Sequence, residues 1–294
     1  MPVIAAVAIW AFTQSPFAMV FAIIGPIVAL ASVADSRRRA RADSRREHTR
    51  FERDLVAAIH AVDAAHEHER TRLENDSPSA ATLVSSSQRN AERWRADPAH
   101  GVALRMGTGR TASTVKLLGD RVELEDSSTA VAIRNLCDRA GEVEAAPMTV
   151  DARLGIGVCG SRPQALALAN ALIVQLAHHL SPAEFGIEWV SNAAPVLDWV
   201  AELPHRGQQG PPPCSDRRRE NSLGLSRVEF GARAGDGRMV VAIATEEASL
   251  PRECRIVVHV AGLAARLVRN PDGNQFADFT PEFVSDREAR AFAR

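Results

Sequence analysis

The chain opens with its most one-sided hydrophobic pattern. Residues 2–33 carry no charged side chain and are interrupted only by the break Thr13-Gln14-Ser15-Pro16. Phe17 to Val33 would form a helix of about 25 Å, enough to cross a hydrocarbon core of about 30 Å with snorkelling or local thinning. Val3 to Phe12 is too short to span alone and reads as the second half of a spanning helix begun upstream, or as a re-entrant piece. The arginines follow the apolar run instead of preceding it, which argues against a cleaved signal peptide. The pattern predicts a membrane anchor over residues 1–34, one spanning helix or an incomplete hairpin.

Between Arg45 and Leu73 there is no Gly or Pro, and Phe51, Leu55, Ile59, Val62 and Leu73 recur at helical spacing with Ala58 and Ala65 between them. A narrow stripe on a charged helix suits a coiled-coil or hairpin seam, so residues 35–77 read as a stalk helix whose Leu55, Ile59 and Val62 are candidates for docking a partner. Asn75-Asp76-Ser77-Pro78 stops it, and 78–93 reads as a linker.

A globular domain is expected over 94–294. Strands are predicted at 101–109 and 121–126, and a helix from Ser127 or Ser128 to Gly141. After Pro147 come a strand at 153–158, an amphipathic helix at about 163–180 and a further strand in "FGIEWVSN", an order that predicts a β-α-β unit with parallel strands buried on both faces. Val196, Trp199, Val200 and Leu203 mark a short amphipathic helix closed by Pro204, which makes Trp199 either a core residue or a docking contact. Residues 205–224 have the composition of a mobile loop. "RMVVAIATEE" and "CRIVVHVAG" are two more apolar strands, and "DREARAFAR" begins a terminal helix.

With 294 residues, 46% of them hydrophobic, the chain can bury at least one full core. A net charge of −1 gives no whole-molecule case for nucleic acid, and none is expected as a partner. One local cluster stands out: residues 35–50 hold seven arginines against three acids. By the positive-inside rule Arg37, Arg38, Arg39, Arg41, Arg45 and Arg46 would sit at the cytoplasmic membrane surface among lipid headgroups, placing the bulk of the chain in the cytoplasm under the plasma membrane. No aromatic residue interleaves them as a single-strand nucleic-acid platform would require. The four cysteines are widely spaced, and neither His66-Glu67-His68 nor His178-His179 forms a metal-binding helix pair, so no metal is expected and these histidines read as solvated helix-surface residues.

The sharpest chemical question is Gly155-x-Gly157-x-x-Gly160, followed by Ser161 and Arg162. A phosphate loop needs backbone amides, a lysine for the terminal phosphates and a hydroxyl for magnesium. Here Ser161 stands where the lysine should be, Arg162 follows it, and Pro163 removes an N–H from the first helical turn. The strand Val240-Val241-Ala242-Ile243 leads to Ala244-Thr245 instead of a magnesium-organising acid, and the strand after the turn lacks a ribose-binding acid at its tip. Gly155, Gly157, Gly160, Ser161 and Arg162 are thus at most a degenerate nucleotide loop, no cofactor is expected, and glycines serving a tight strand-to-helix turn explain the motif.

Several of these stretches together resemble the N-terminal part of the FtsK/SpoIIIE-type ATPases of type VII secretion, the EccC/EssC family. They are "SRRRARADSRRE" beside the apolar run, "VALRMGTG", "GIGVCGSRPQALALANALIVQLAHHLSPAEFGIEWV", "LDWVAELPHR" and "SLPRECRIVVHV". The resemblance covers nearly the whole chain and implies an α/β fold: a degenerate P-loop-like domain, a parallel sheet flanked by helices, behind N-terminal transmembrane segments and a helical stalk. It implies a membrane-anchored, non-catalytic scaffold or regulatory component of a type VII-like secretion system, docking protein partners of the complex, a separately encoded ATPase among them, with a homo-oligomer compatible. It does not carry ATP hydrolysis over, because no residues here match the hydrolytic motifs. The alternatives are a nucleotide-binding sensor or enzyme using residues 155–162, and a truncated inactive remnant of a secretion ATPase.

Overall fold

A computed structural model describes residues 16–86, 93–94, 101–118, 128–191, 197–205, 226–233, 237–271 and 278–294, without side chains for 16–31, 190 and 191. The chain divides into two compact units, Met1–Asp63 and Ala64–Arg294.

Within the first unit lies most of α1 (Pro16–Asp76). From Ser32 to Arg50 every described side chain is exposed, including Arg37, Arg38, Arg39, Arg41, Arg45 and Arg46. Their acids lie on the same helix: Arg39 pairs with Asp35, Arg46 with Asp43 and Arg50 with Asp54. Such solvent-exposed neighbours contribute only a few tenths of a kcal/mol each. The expected anchor is overturned: among the described residues no helix is long and apolar enough to cross a membrane. Val3 to Phe12 lie outside the described residues. The plasma-membrane placement falls with the anchor, and what the pattern divides into anchor and stalk is a single helix, Pro16–Asp76.

The second unit is built around one helix. Its elements after α1 are α2 (Ala80–Ser86), β1 (Ala103–Ala112), α3 (Ser128–Gly141), β2 (Glu142–Asp151), β3 (Ile156–Gly160), α4 (Arg162–His179) and β4 (Phe185–Ser191). There follow a 3-10 turn (Asp198–Glu202), β5 (Ser226–Ala232), β6 (Arg238–Ala244), β7 (Ile256–Ala261), β8 (Ala264–Arg269), β9 (Thr280–Pro281) and α5 (Asp286–Ala293). Two sheets form, one of three strands in the order β2-β1-β9 and one of six in the order β4-β5-β6-β3-β7-β8. The parallel P-loop-like sheet is therefore corrected to a mixed one. Only β6-β3-β7 run parallel, and the β4-β5, β5-β6 and β7-β8 pairs are antiparallel. β3 and β4 do point the same way, but β6 and β5 lie between them, so the expected β-α-β neighbours are not neighbours. Apolar runs buried on both faces look alike in either kind of sheet, so their pattern does not reveal pairing direction.

The strand at 279–281 stitches the sheets together. Phe279 exchanges both backbone hydrogen bonds with Ala265 of β8 at 2.8 Å, and the next two residues pair with Gly107 and Thr108 of β1. β2 carries Pro147 in mid-strand, which an outer strand tolerates because its free edge needs no N–H. The expected strand at 121–126 lies outside the described residues, as do 206–224 of the expected loop, and α2 occupies part of the expected linker with Ala80 and Leu83 buried.

α4 was expected to be amphipathic and is not. Every residue from Leu168 to His178 is buried, because the helix rests on β6, β3 and β7 while β1, α2 and α5 cover its other sides. Leu168, Leu172, Ile173, Val174 and Leu176 each contribute about 1.5–3 kcal/mol by burial. Its polar members must then find partners inside. Gln175 accepts the Arg105 N–H at 2.7 Å and donates to the Arg105 carbonyl at 2.8 Å, next to the point where β1 slips register against β2 between Arg105 and Gly107. Asn170 accepts the Trp199 indole N–H at 3.0 Å and donates to the Val284 carbonyl at 3.3 Å.

A second buried polar anchor is Glu69, in the part of α1 that belongs to this unit. Its carboxylate accepts the Thr114 N–H at 2.9 Å and the Ser113 and Thr114 hydroxyls at 2.7 and 2.6 Å. Burial alone pushes its pKa up, but those bonds outweigh burial and hold it below the usual carboxylate range. The clasp is thus fully present above that range and lost as pH falls through it.

Replacing Gln175 by Leu leaves the Arg105 amide and carbonyl buried without partners. The expected loss is about 2–4 kcal/mol of unfolding free energy, read from the urea midpoint at unchanged slope.

Candidate functional site

The glycine motif does not form one loop. Gly155 precedes β3, Gly157 lies within it, Gly160 ends it, and only Ser161 and Arg162 reach the start of α4. Strung along an extended strand at about 3.3 Å per residue, the first and last glycines cannot surround one phosphate group.

Each glycine answers to a neighbour in the chain itself. Gly155 has φ +64°, and a side chain there would run into the Glu253 carbonyl oxygen. Gly157 lies beneath the Leu250 side chain, which rests on this face of the sheet beside Val240, Ala242, Ala244 and Cys254. Gly160 has φ +137° and abuts the Val260 carbonyl of the parallel neighbour β7. The space beside each of the three glycines is filled by protein.

The start of α4 is equally uninviting to an anion. Ser161 is the N-cap residue but its hydroxyl pairs with Gln164 Oε1 instead of a backbone amide. Pro163 has no N–H, and the Gln164 and Ala165 amides donate to the Ser161 carbonyl at 3.1 and 3.0 Å. The Arg162 side chain is exposed. Cys159, at the same strand end, offers no nucleophile: burial, with Glu247 nearby, pushes its thiol up to about 11. Cys254 is pushed up to about 12, again chiefly by burial.

The docking candidates are divided by the fold. Leu55 and Ile59 are half-buried and Val62 is buried, all on one face of α1. Trp199 is fully buried and hydrogen-bonded inside the core, so it presents no surface to a partner. Arg290 of α5 fixes its turn from outside by pairing with Asp198 and Glu202.

A groove of about 610 Å³ opens where the two sheets are stitched, lined by Thr108, Arg110, Glu144, Asp278, Phe279 and Thr280. Ala145, at its wall, has φ +53° at the second register shift of β1 against β2. The charges there are already matched, Arg110 with Glu144 at 3.0 Å and Asp278 with Arg266 at 2.7 Å. No ligand chemistry is singled out.

Of the histidines read as surface residues, His68 is exposed, but His66 and His178 need correction. His66 is buried, with Nε2 3.3 Å from the Ala140 carbonyl, and His178 is 4% exposed. Burial first, then His179 and Arg93, push the His178 imidazole down to about 4. His205 is fully buried and also pushed down by burial, with Arg93 and Arg233 adding to it against the Leu180 hydrogen bond. This junction of Arg93, His178 and His205 escapes sequence reading because its members are far apart in the chain, although His178-His179 and "LPHR" are each visible. Among the described residues no group of three or more His, Cys, Asp or Glu could hold a metal ion.

No known family matches the chain, and no curated protein is significantly similar to it.

Gly155→Ala and Gly160→Ala each force a side chain into a backbone carbonyl at positive φ. Each is expected to lower stability by more than about 1 kcal/mol, with the thermal midpoint as the check. If the glycines served only a ligand, both variants would melt with the parent.

Proposed function

We propose that the chain is a non-catalytic docking component that holds partner proteins and turns over no nucleotide. The observation that supports this best is the filling of the glycine motif by Leu250, Glu253 and Val260 of the chain itself. A nucleotide enzyme needs an open backbone cradle and a cation aimed at the phosphates. Here the first helical turn is self-bonded and the nearby thiols are held protonated.

The setting of the docking is carried by the sequence resemblance alone. "GIGVCGSRPQALALANALIVQLAHHL" and "LDWVAELPHR" look like the degenerate ATPase-shaped domain of type VII secretion ATPases. On that reading the partners belong to a protein-export complex whose ATPase is another chain. The membrane anchor of those proteins forms no part of the proposal.

Calorimetry of the full chain with Mg-ATP and with NAD is expected to show no heat of binding. Micromolar affinity abolished by Arg162→Ala would overturn the reading. Reciprocal tagging after in-cell crosslinking is expected to return the same partner set from both ends, whereas a chain that recovers none is no docking component.

A further inference from the structure

Three segments distant in sequence meet at the C-terminal end of α4. Trp94 donates its N–H to the His178 carbonyl at 2.8 Å and its indole N–H to the Ala177 carbonyl at 3.2 Å. His205 donates Nε2–H to the Leu180 carbonyl at 2.7 Å, while its own carbonyl accepts the Ile187 N–H at 2.9 Å. β4 is the end strand of the six-stranded sheet and pairs with β5 on its other side. One residue thus ties the end of the central helix to the outer edge of the sheet.

A neutral His205 that donates through Nε2 leaves Nδ1 as an acceptor, and that atom is buried without a partner. His178 Nδ1 and Arg93 Nε are buried in the same condition. Among the described residues the surroundings offer no counter-charge. α4 supplies His179, its ring 5.3 Å from that of His178. The Trp94 segment supplies Arg93, stacked on Trp94 and on Phe292 of α5 at 5.3 and 4.7 Å. β5 supplies the Phe230 ring, 5.8 Å from His205, and Arg233 follows it in the chain. The α5 cation Arg290 is turned to Asp198 and Glu202. Among the described residues no carboxylate pairs with either histidine.

We propose that this junction is an acid-released latch: protonation of His178 and His205 frees Trp94 and the 203–205 turn and uncovers the outer edge of β4. An imidazolium formed in the closed latch would gain a buried Nδ1–H with no acceptor among the described residues, beside Arg93 and, at His205, Arg233 as well. In the open form it is solvated and takes its proton in the ordinary histidine range, about 6.5. The closed form therefore loses ground as pH falls below that range, and through His178 goes on losing until about 4. Over that window His178 alone multiplies the open population on the order of a hundredfold. The uncovered strand carries Trp189, already 38% exposed. The latch does not depend on the docking reading.

Hydrogen exchange of the full chain, resolved by residue and corrected for intrinsic rates between about pH 7.5 and 4.5, tests it. Protection at Ile187 and Trp94 is expected to fall at least about tenfold more than at Val158 in the centre of β3. The pair H178N/H205Q keeps a donor to Leu180 and removes both titrations, so it should abolish that difference. R93Q, which removes one cationic neighbour, should move the opening to lower pH. Ile187 and Trp94 tracking Val158 throughout would overturn the latch. So would an unmoved opening in R93Q, a measurement that stands even where the double variant does not fold.

Discussion

From Leu168 to His178, α4 has no solvent-facing side, and the rest of the second unit is arranged to meet that condition. A helix that is apolar all round is stable only where protein covers it all round. Here the six-stranded sheet covers one side and β1, α2 and α5 the others. Its few polar positions sit where a partner must lose a hydrogen bond otherwise: Gln175 at the slipped register of β1, and Asn170 between Trp199 and Val284. These contacts fix which way the helix faces, which burial of leucine and isoleucine alone would leave open, since non-directional packing does not choose a rotation.

The same crowding accounts for the glycine motif. β3 lies at the centre of the parallel trio, so its backbone is approached from β6, β7 and the return through Leu250 and Glu253. Glycine at 155, 157 and 160 admits those approaches. What resembles a nucleotide cradle in one dimension is a packing requirement in three. The outline of a strand, a glycine-marked turn and a helix is retained while the first turn of that helix is closed on itself.

Much of the second unit was legible in the chain and some was not, for identifiable reasons. β3, β6 and β7 announce themselves as apolar runs, and α3 begins at Ser128 and ends at Gly141 as capping residues predict. β2 was hidden by Pro147, which reads as a breaker until the strand is known to be outermost. β5 is short and adjoins a polar loop, although Val228 and Phe230 alternate with Arg227 and Glu229 as a half-buried strand should. Strand direction is absent from any such pattern, which is how a mixed sheet came to be expected as parallel. Trp199 could be narrowed to core or contact, and its Asn170 partner, 29 positions away, settles it as core. The apolar N-terminal run and its arginine flank predict an anchor, but among the described residues no helix is long and apolar enough to cross a membrane.

That α4 is the buried centre of the fold is tested most directly by native-state hydrogen exchange of the full chain. The amides from Leu168 to Ala177 are expected to exchange only through global unfolding, at the full unfolding free energy and with the same denaturant dependence. Exchange of those amides at the rate of the exposed residues 36–50 of α1, with no denaturant dependence, would contradict the account.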